Sequence, residues 1–177
     1  LPPVQGARAI VSGSCSTASN AQVAAFLERH AGRGFAIDPL RLADGDDLAA
    51  QALDWAASQL GSEPLLVYAT APPDAVKAVQ ARLGVSQAGT LVEQALATVA
   101  AGLVQRGVGQ LVVAGGETSG ACVQALGVRS LRIGAQIDPG VPWCHAVTGN
   151  GQPLHLVLKS GNFGTTDFFD KAFEVQR

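Results

Sequence analysis

Leu111-Val112-Val113-Ala114-Gly115-Gly116-Glu117-Thr118-Ser119-Gly120-Ala121-Cys122-Val123-Gln124-Ala125-Leu126 is the stretch that decides the fold. An apolar run, 111–114, leads into a glycine-rich turn, 115–120, and an apolar helical pattern, 121–126, leads out. Strand, small-residue turn and helix in this order suit an anion. Glycines let the backbone bend sharply and approach a ligand, and free N–H groups at the helix start point at negative charge. The stretch reads as the phosphate-holding loop of a nucleotide site. It is not a Walker loop, because no Gly-Lys-Ser/Thr follows.

Working outward, the same unit opens the chain. Ala7–Val11 is an apolar strand, Ser12–Thr17 is a turn of small and hydroxyl residues, and 18–31 has helical spacing. Ser16, Thr17 or Ser19 could cap that helix. A short strand at Gly34–Ile37 ends at Asp38-Pro39, and a helix is expected over 44–60. A third strand at Leu65–Ala69 is stopped by Pro72-Pro73. A short helix over 74–83 and the longest helical pattern, 86–106, come next. After a strand at 110–114 and its helix, the texture changes. Strands at 130–137, 141–148 and 154–159 are joined by Asp138-Pro139-Gly140 and Gly149-Asn150-Gly151, both turn sequences. A closing helix spans 167–175. These elements predict a three-layer αβα domain with a mostly parallel sheet and a β-hairpin portion near the C-terminus.

The bulk numbers fit. The chain has 177 residues, 47% apolar and 5% aromatic, enough for one domain with a real core. A net charge of −2 offers no field for nucleic acid or an anionic membrane surface. No stretch reads as a membrane span or a signal peptide. Cys15, Cys122 and Cys144 form no Cys-x-x-Cys pair, which predicts free thiols in a reduced, cytoplasmic protein. Leu1-Pro2-Pro3 reads like a linker, so 1–6 is taken as linker and 7–177 as the domain, a piece of something longer.

Three loops follow apolar strands: Ser12–Thr17, Gly115–Gly120 and Ser160–Gly164. In an open parallel sheet such loops share the carboxyl edge, where ligands bind. Glu117 would serve the helix start electrostatically, or contact a ribose hydroxyl or, through water, a metal. Thr118 and Ser119 could cap the helix, donate to phosphate, or both. Lys159 reads either as a solvated strand end or as a cation for phosphate. Asp46 and Asp47 read as helix N-terminal charge, Asp138 as a turn residue, and Phe163, Phe168 and Phe169 as core or interface anchors. His30, His145 and His155 lack metal-ligand spacing. No Gly-x-Ser-x-Gly elbow supports hydrolase chemistry. One rival is an NAD-dependent dehydrogenase with Asp38 on the ribose, but Gly-x-Gly-x-x-Gly is absent.

Val113 to Ala121 and Leu158 to Phe169, with Gly13-Ser14-Cys15-Ser16-Thr17-Ala18, resemble the signatures of the C-terminal, nucleotide-binding domain of the four-carbon acid sugar kinases, and look most like the 3-oxo-tetronate kinase branch. The resemblance covers nearly the whole chain. It implies transfer of the γ-phosphoryl group of ATP, with Mg²⁺, to the 4-hydroxyl of a four-carbon acid sugar. It implies an ATP site made of Ser14 and Ser16, of Gly115, Gly116, Glu117 and Thr118, and of Ser160, Gly161 and Asn162. It also implies that the catalytic base and the acid-sugar site belong to an N-terminal domain absent from this chain, and that the isolated domain is inactive. An apolar face where that domain docks is then expected, and it offers a surface for a homodimer. The alternative of a different class is a non-catalytic module that binds a nucleotide or phosphometabolite.

Overall fold

The first strand shows why the chain folds as a layered α/β domain: Ala9, Ile10 and Val11 in succession are fully buried, so both faces of the strand are covered. The structure is a computed structural model and describes residues 1–175; residues 176 and 177, the end of the expected domain, lie outside the described residues. In chain order the elements are β1 (Ala7–Ser12), α1 (Thr17–Arg29), β2 (Gly34–Ala36), α2 (Pro39–Ala43), α3 (Leu48–Ala57), β3 (Leu65–Tyr68), α4 (Pro73–Leu83), α5 (Val85–Gln105), β4 (Val108–Ala114), α6 (Gly116–Leu126), β5 (Arg132–Asp138), β6 (Val141–Val147), β7 (Pro153–Lys159) and α7 (Phe168–Glu174).

The strands form one seven-stranded sheet in the order β2-β3-β1-β4-β7-β6-β5. The first five in that order pair in parallel, and β6 runs against both β7 and β5. The expected three layers and the hairpin portion are therefore present. Alternate strand residues feed two cores. On one face Val11, Val67, Leu111 and Val113 pack with apolar positions of α3, α5 and α6. On the other, Ile10, Leu66, Val112 and Val157 pack with Val23 and Phe26 of α1 and Phe168, Phe169 and Phe173 of α7. Trp143 of β6 is fully buried in this second core and donates its Nε1–H to the Ala172 carbonyl at 2.7 Å.

Chain direction across the sheet reverses at β1. From β1 the chain passes through α1 to β2 and β3 on one side, then crosses to β4 on the other. Helix α1 leaves β1 on one face and α6 leaves β4 on the opposite face. A crevice at the carboxyl ends of β1 and β4 follows from this divergence.

Several expectations are corrected. Gly115 alone makes the turn after β4, with φ of +123°, and α6 starts at Gly116, so most of the expected 115–120 loop is helix. Asp38-Pro39 is not only a strand stop: Asp38 Oδ1 accepts from Leu40 N at 2.9 Å and Pro39 opens α2. Proline at the first helical position lacks an N–H that would be unpaired anyway, which is why it starts a helix here. Helix α3 begins at Leu48 rather than 44, because Asp47 Oδ1 caps it at Ala50 N while Asp46 turns to Arg41. Asp138 is no simple turn residue. It is buried and takes the Thr165 N–H, the Thr165 hydroxyl and the Lys171 ammonium, tying the β5–β6 turn to α7. Among the described residues, no helix is long and apolar enough to cross a membrane.

Candidate functional site

The turn after β1 is held by its neighbours rather than by its own sequence. Gly13 N and Ser14 N both donate to the Ala114 carbonyl of β4, at 2.9 and 3.2 Å. Gly115 N, at the end of β4, donates to the Lys159 carbonyl of β7 at 2.8 Å. The ends of β1, β4 and β7 are thus laced together, and the turns that follow them lie side by side. Their approach is close enough to require glycine. A Cβ on Gly13 would stand 2.1 Å from Thr118 Oγ1, and one on Gly161 would stand 2.6 Å from Ser14 Oγ.

Hydroxyls bind the first turn to the third. Ser16 caps α1, accepting from Ser19 N at 3.1 Å, and donates its own hydroxyl to the Gly161 carbonyl at 2.6 Å. Ser14 donates to Ser16 Oγ at 3.1 Å. Asn20, one turn into α1, sends its Nδ2 to the carbonyls of Cys15, Ser16 and Ala71, so it fixes the first turn against the segment after β3. Sequence reading missed Asn20. A partly buried amide that serves two loops 51 residues apart leaves no local pattern.

A cavity of about 640 Å³ opens over the carboxyl ends of β1, β2, β3 and β4. One end is backbone and short polar side chains, from Gly13–Cys15 and Gly115–Thr118. The other is apolar, with Ile37, Tyr68, Val76, Val79 and Val92 on its walls. That wall, supplied by α4 and the start of α5, carries no motif and was not anticipated. Asp38 lies on the same wall, exposed, while it caps α2.

Helix α6 aims its start into the polar end. No side chain caps it, so the N–H groups of its first turn are left for a ligand. Gly116 borders the cavity, and a Cβ built on it meets no atom within 4 Å. Glu117 is exposed on the rim, beside Glu93 of α5. Burial first, and then the neighbouring Glu117, push the Glu93 carboxyl above its ordinary value. Thr118 is buried, with its hydroxyl against Gly13. Ser14, Gly115, Gly116, Glu117 and Thr118 are therefore brought together on the cavity wall. Ser16 and Gly161 stand directly behind them, while Ser160 and Asn162 are exposed at the end of β7.

Lys159 is neither a solvated strand end nor a residue of the cavity wall. It is fully buried, and its Nζ lies 3.3 Å from Ser19 Oγ and 3.1, 3.0 and 3.1 Å from the carbonyls of Ser160, Gly161 and Phe163. Burial draws its pKa down to about 8. Phe163, expected as an anchor, is 45% exposed and rests on Gly140, whereas Phe168 and Phe169 are core. Cys122 and Cys144 are buried thiols, with burial pushing Cys122 up to about 12, which makes them inert; Cys15 borders the cavity. Among the described residues, no three His, Cys, Asp or Glu side chains group to hold a metal ion.

The structure is a doubly wound α/β domain with glycine turns and an uncapped helix start at the crossing point of its sheet, the kind of edge where such folds present backbone N–H groups to a ligand. The chain belongs to the family of the nucleotide-binding C-terminal domain, whose model matches residues 9–169. It is 60% identical over 173 residues to a 3-oxo-tetronate kinase of Cupriavidus necator, covering 97% of this chain and 39% of that protein. It is 59% identical over 175 residues to one of Burkholderia multivorans, covering 99% and 40%. The chain thus spans about two-fifths of the length of these curated relatives. The fold superposes on the crystal structure of a Haemophilus influenzae protein with a TM-score of 0.86 at 42% identity, over 97% of this chain and 41% of that one.

Proposed function

We propose that this chain is the ATP-binding domain of a kinase that phosphorylates the 4-hydroxyl of a four-carbon acid sugar such as 3-oxo-tetronate. The observation that carries the reading is the cavity itself: an uncapped helix start and two glycine turns at one end, an apolar slot at the other. That is the shape and polarity of a nucleotide, with phosphates at the backbone donors and the base among the valines. The names of the relatives supply the acceptor.

The first turn of α6, with Ser14 and Thr118, would hold the phosphates, and Ser16 and Gly161 would support them from behind. When bound, ATP supplies the γ-phosphoryl group. Phosphoryl transfer depends mainly on positioning and on stabilising charge, so this chain's task is to hold the phosphates still and dry. Mg²⁺ would arrive with the nucleotide, held by phosphate oxygens and water. Residues 1–6 would connect the domain to an N-terminal acid-sugar domain that supplies the catalytic base, and the isolated chain would bind nucleotide without turning over.

Calorimetric titration with ATP, with and without Mg²⁺, and with NAD in parallel, tests this reading. Binding of ATP and not of NAD is the expected result. Binding of NAD alone would overturn the kinase reading in favour of a dehydrogenase. Joining the chain to a relative's N-terminal domain and assaying phosphorylation of 3-oxo-tetronate then separates a kinase from a non-catalytic binding module.

A further inference from the structure

Lys159 is an ammonium inside the protein with no carboxylate beside it among the described residues. Its side chain is fully buried, and all four atoms in reach are neutral oxygens: Ser19 Oγ and the carbonyls of Ser160, Gly161 and Phe163. The groups facing it from each side are also uncharged. Helix α1 presents Ser19, with Gln22 sharing the Phe163 carbonyl; β4 presents Ala114; the third turn presents backbone. The ion pairs of α7 are engaged elsewhere, Asp170 with His30 and Arg29, and Lys171 with Asp138. A buried charge that is hydrogen-bonded but unpaired is costly, and a fold keeps one where something else completes it.

This charge lies behind the polar end of the cavity, linked to it by a chain of hydrogen bonds. The Gly161 carbonyl that accepts from Lys159 Nζ at 3.0 Å also accepts from Ser16 Oγ at 2.6 Å, and Ser16 in turn accepts from Ser14, which lines the polar end of the cavity. Resting on the nucleotide reading above, we propose that Lys159 is a positioning residue of the anion site: its ammonium holds the third turn against Ser16, and the bound polyphosphate in front of that turn supplies its missing counter-charge.

Two consequences follow. By linkage, an anion at the site raises the proton affinity of Lys159, and protonated Lys159 raises affinity for the anion. Because burial already draws Lys159 down to about 8, the effect falls in an accessible range. Nucleotide binding weakens as pH rises through that value, and above it each ligand bound carries a proton into the protein.

The test is calorimetry on the chain described here, at about pH 7 and about pH 9, in buffers of different ionisation enthalpy, which reads the protons exchanged. The γ-phosphate of ATP is fully ionised across the upper part of this range. Cys15 borders the same cavity, so the measurement is repeated with Cys15→Ser to remove its thiol. The expected result is proton uptake on ATP binding at the higher pH in both chains, with affinity about tenfold lower there than at neutral pH. Lys159→Met abolishes the uptake and lowers neutral-pH affinity by a similar factor, and its circular dichroism and melting curve report whether it folds. The uptake measurement needs no variant, so a Lys159→Met chain that fails to fold leaves the test standing. ATP binding without proton uptake, or uptake lost with Cys15→Ser, overturns the role of Lys159. Sulfate, which has no proton to exchange in this range, is titrated in parallel. Uptake with sulfate and no ATP binding would uphold Lys159 and overturn the nucleotide reading; no binding of either overturns both.

Discussion

Gly13 and Thr118 touch so closely that a methyl group on the first would lie 2.1 Å from the hydroxyl of the second. One belongs to the turn after β1, the other to the first turn of α6, and their contact makes two separate βα units into one wall. The same wall distinguishes glycines that are needed for packing from one that is needed for space.

Gly116 is the latter. Its backbone conformation suits any residue, and a Cβ there meets nothing within 4 Å. Gly116→Val should leave the fold intact, since glycine is itself the poorer helix former. Its side chain would stand where the phosphates are proposed to lie, and ATP affinity should fall about tenfold or more. Gly13→Ala should instead lower stability by about 1–3 kcal/mol through overpacking. Paired melting and ATP titration check both; undiminished affinity in a folded Gly116→Val would count against the site.

Glu93 and Glu117 bring two carboxyls to the same rim of the cavity, near enough for each to feel the other's charge. Burial and Glu117 raise the folded-state pKa of Glu93, so its contribution to stability is greatest below the ordinary Glu range, about pH 4, and is lost as pH rises through the raised value. Glu93→Gln removes that loss. The variant should melt higher than the parent at pH near 7.5, with the gap closing towards pH near 4. It should also bind Mg²⁺-free ATP more tightly, because one negative charge leaves the wall. A melting difference that does not change with pH would refute the paired arrangement.

Asp138 behaves in the opposite sense. Burial alone would raise its pKa, but the Lys171 ammonium and the Thr165 N–H and hydroxyl together hold it below the ordinary value. Its contribution is therefore present above about pH 4 and is lost as pH falls further. Asp138→Asn should cost about 1–3 kcal/mol at neutral pH, measured by urea unfolding, and little at pH near 2. ATP affinity of the folded variant should be unchanged, since Asp138 ties the hairpin to α7 and does not border the cavity.

The sheet and the polar end of the cavity were legible in the sequence because each βα turn carries its own small residues and its own apolar strand. Helix α2 was hidden because Asp-Pro is both a strand stop and a helix start, and here Asp38 caps and Pro39 opens a helix of only one turn or so. Sequence left Lys159 between a solvated strand end and a cation for phosphate, and its burial excludes only the first; the chain immediately around it, Leu158 and Ser160, does not say that Ser19 and the Gly161 carbonyl will close over it. Glu93 sits mid-helix with no motif, and its meaning comes entirely from Glu117, 24 positions later. The apolar wall from α4 was invisible for the same reason: Val76 and Val79 read as ordinary helix until β3 and α5 are in place.

The strand order bears on how the molecule is made. β7 is the last strand in the chain, yet it lies inside the sheet, between β4 and β6. A growing chain that has emerged only as far as β6 therefore has an open seam along β4, and it lacks the turn that carries Gly161. It can form β1 to β4 and their helices, but Ser16 has no carbonyl to bind and Lys159 does not yet exist. The residues that line the cavity, 13–118, all precede β7, but the third turn and the buried charge behind it reach the pocket only with that last strand. Nascent or C-terminally shortened chains should thus expose a sticky seam and hold a ligand less firmly, even with every lining residue of the cavity in place.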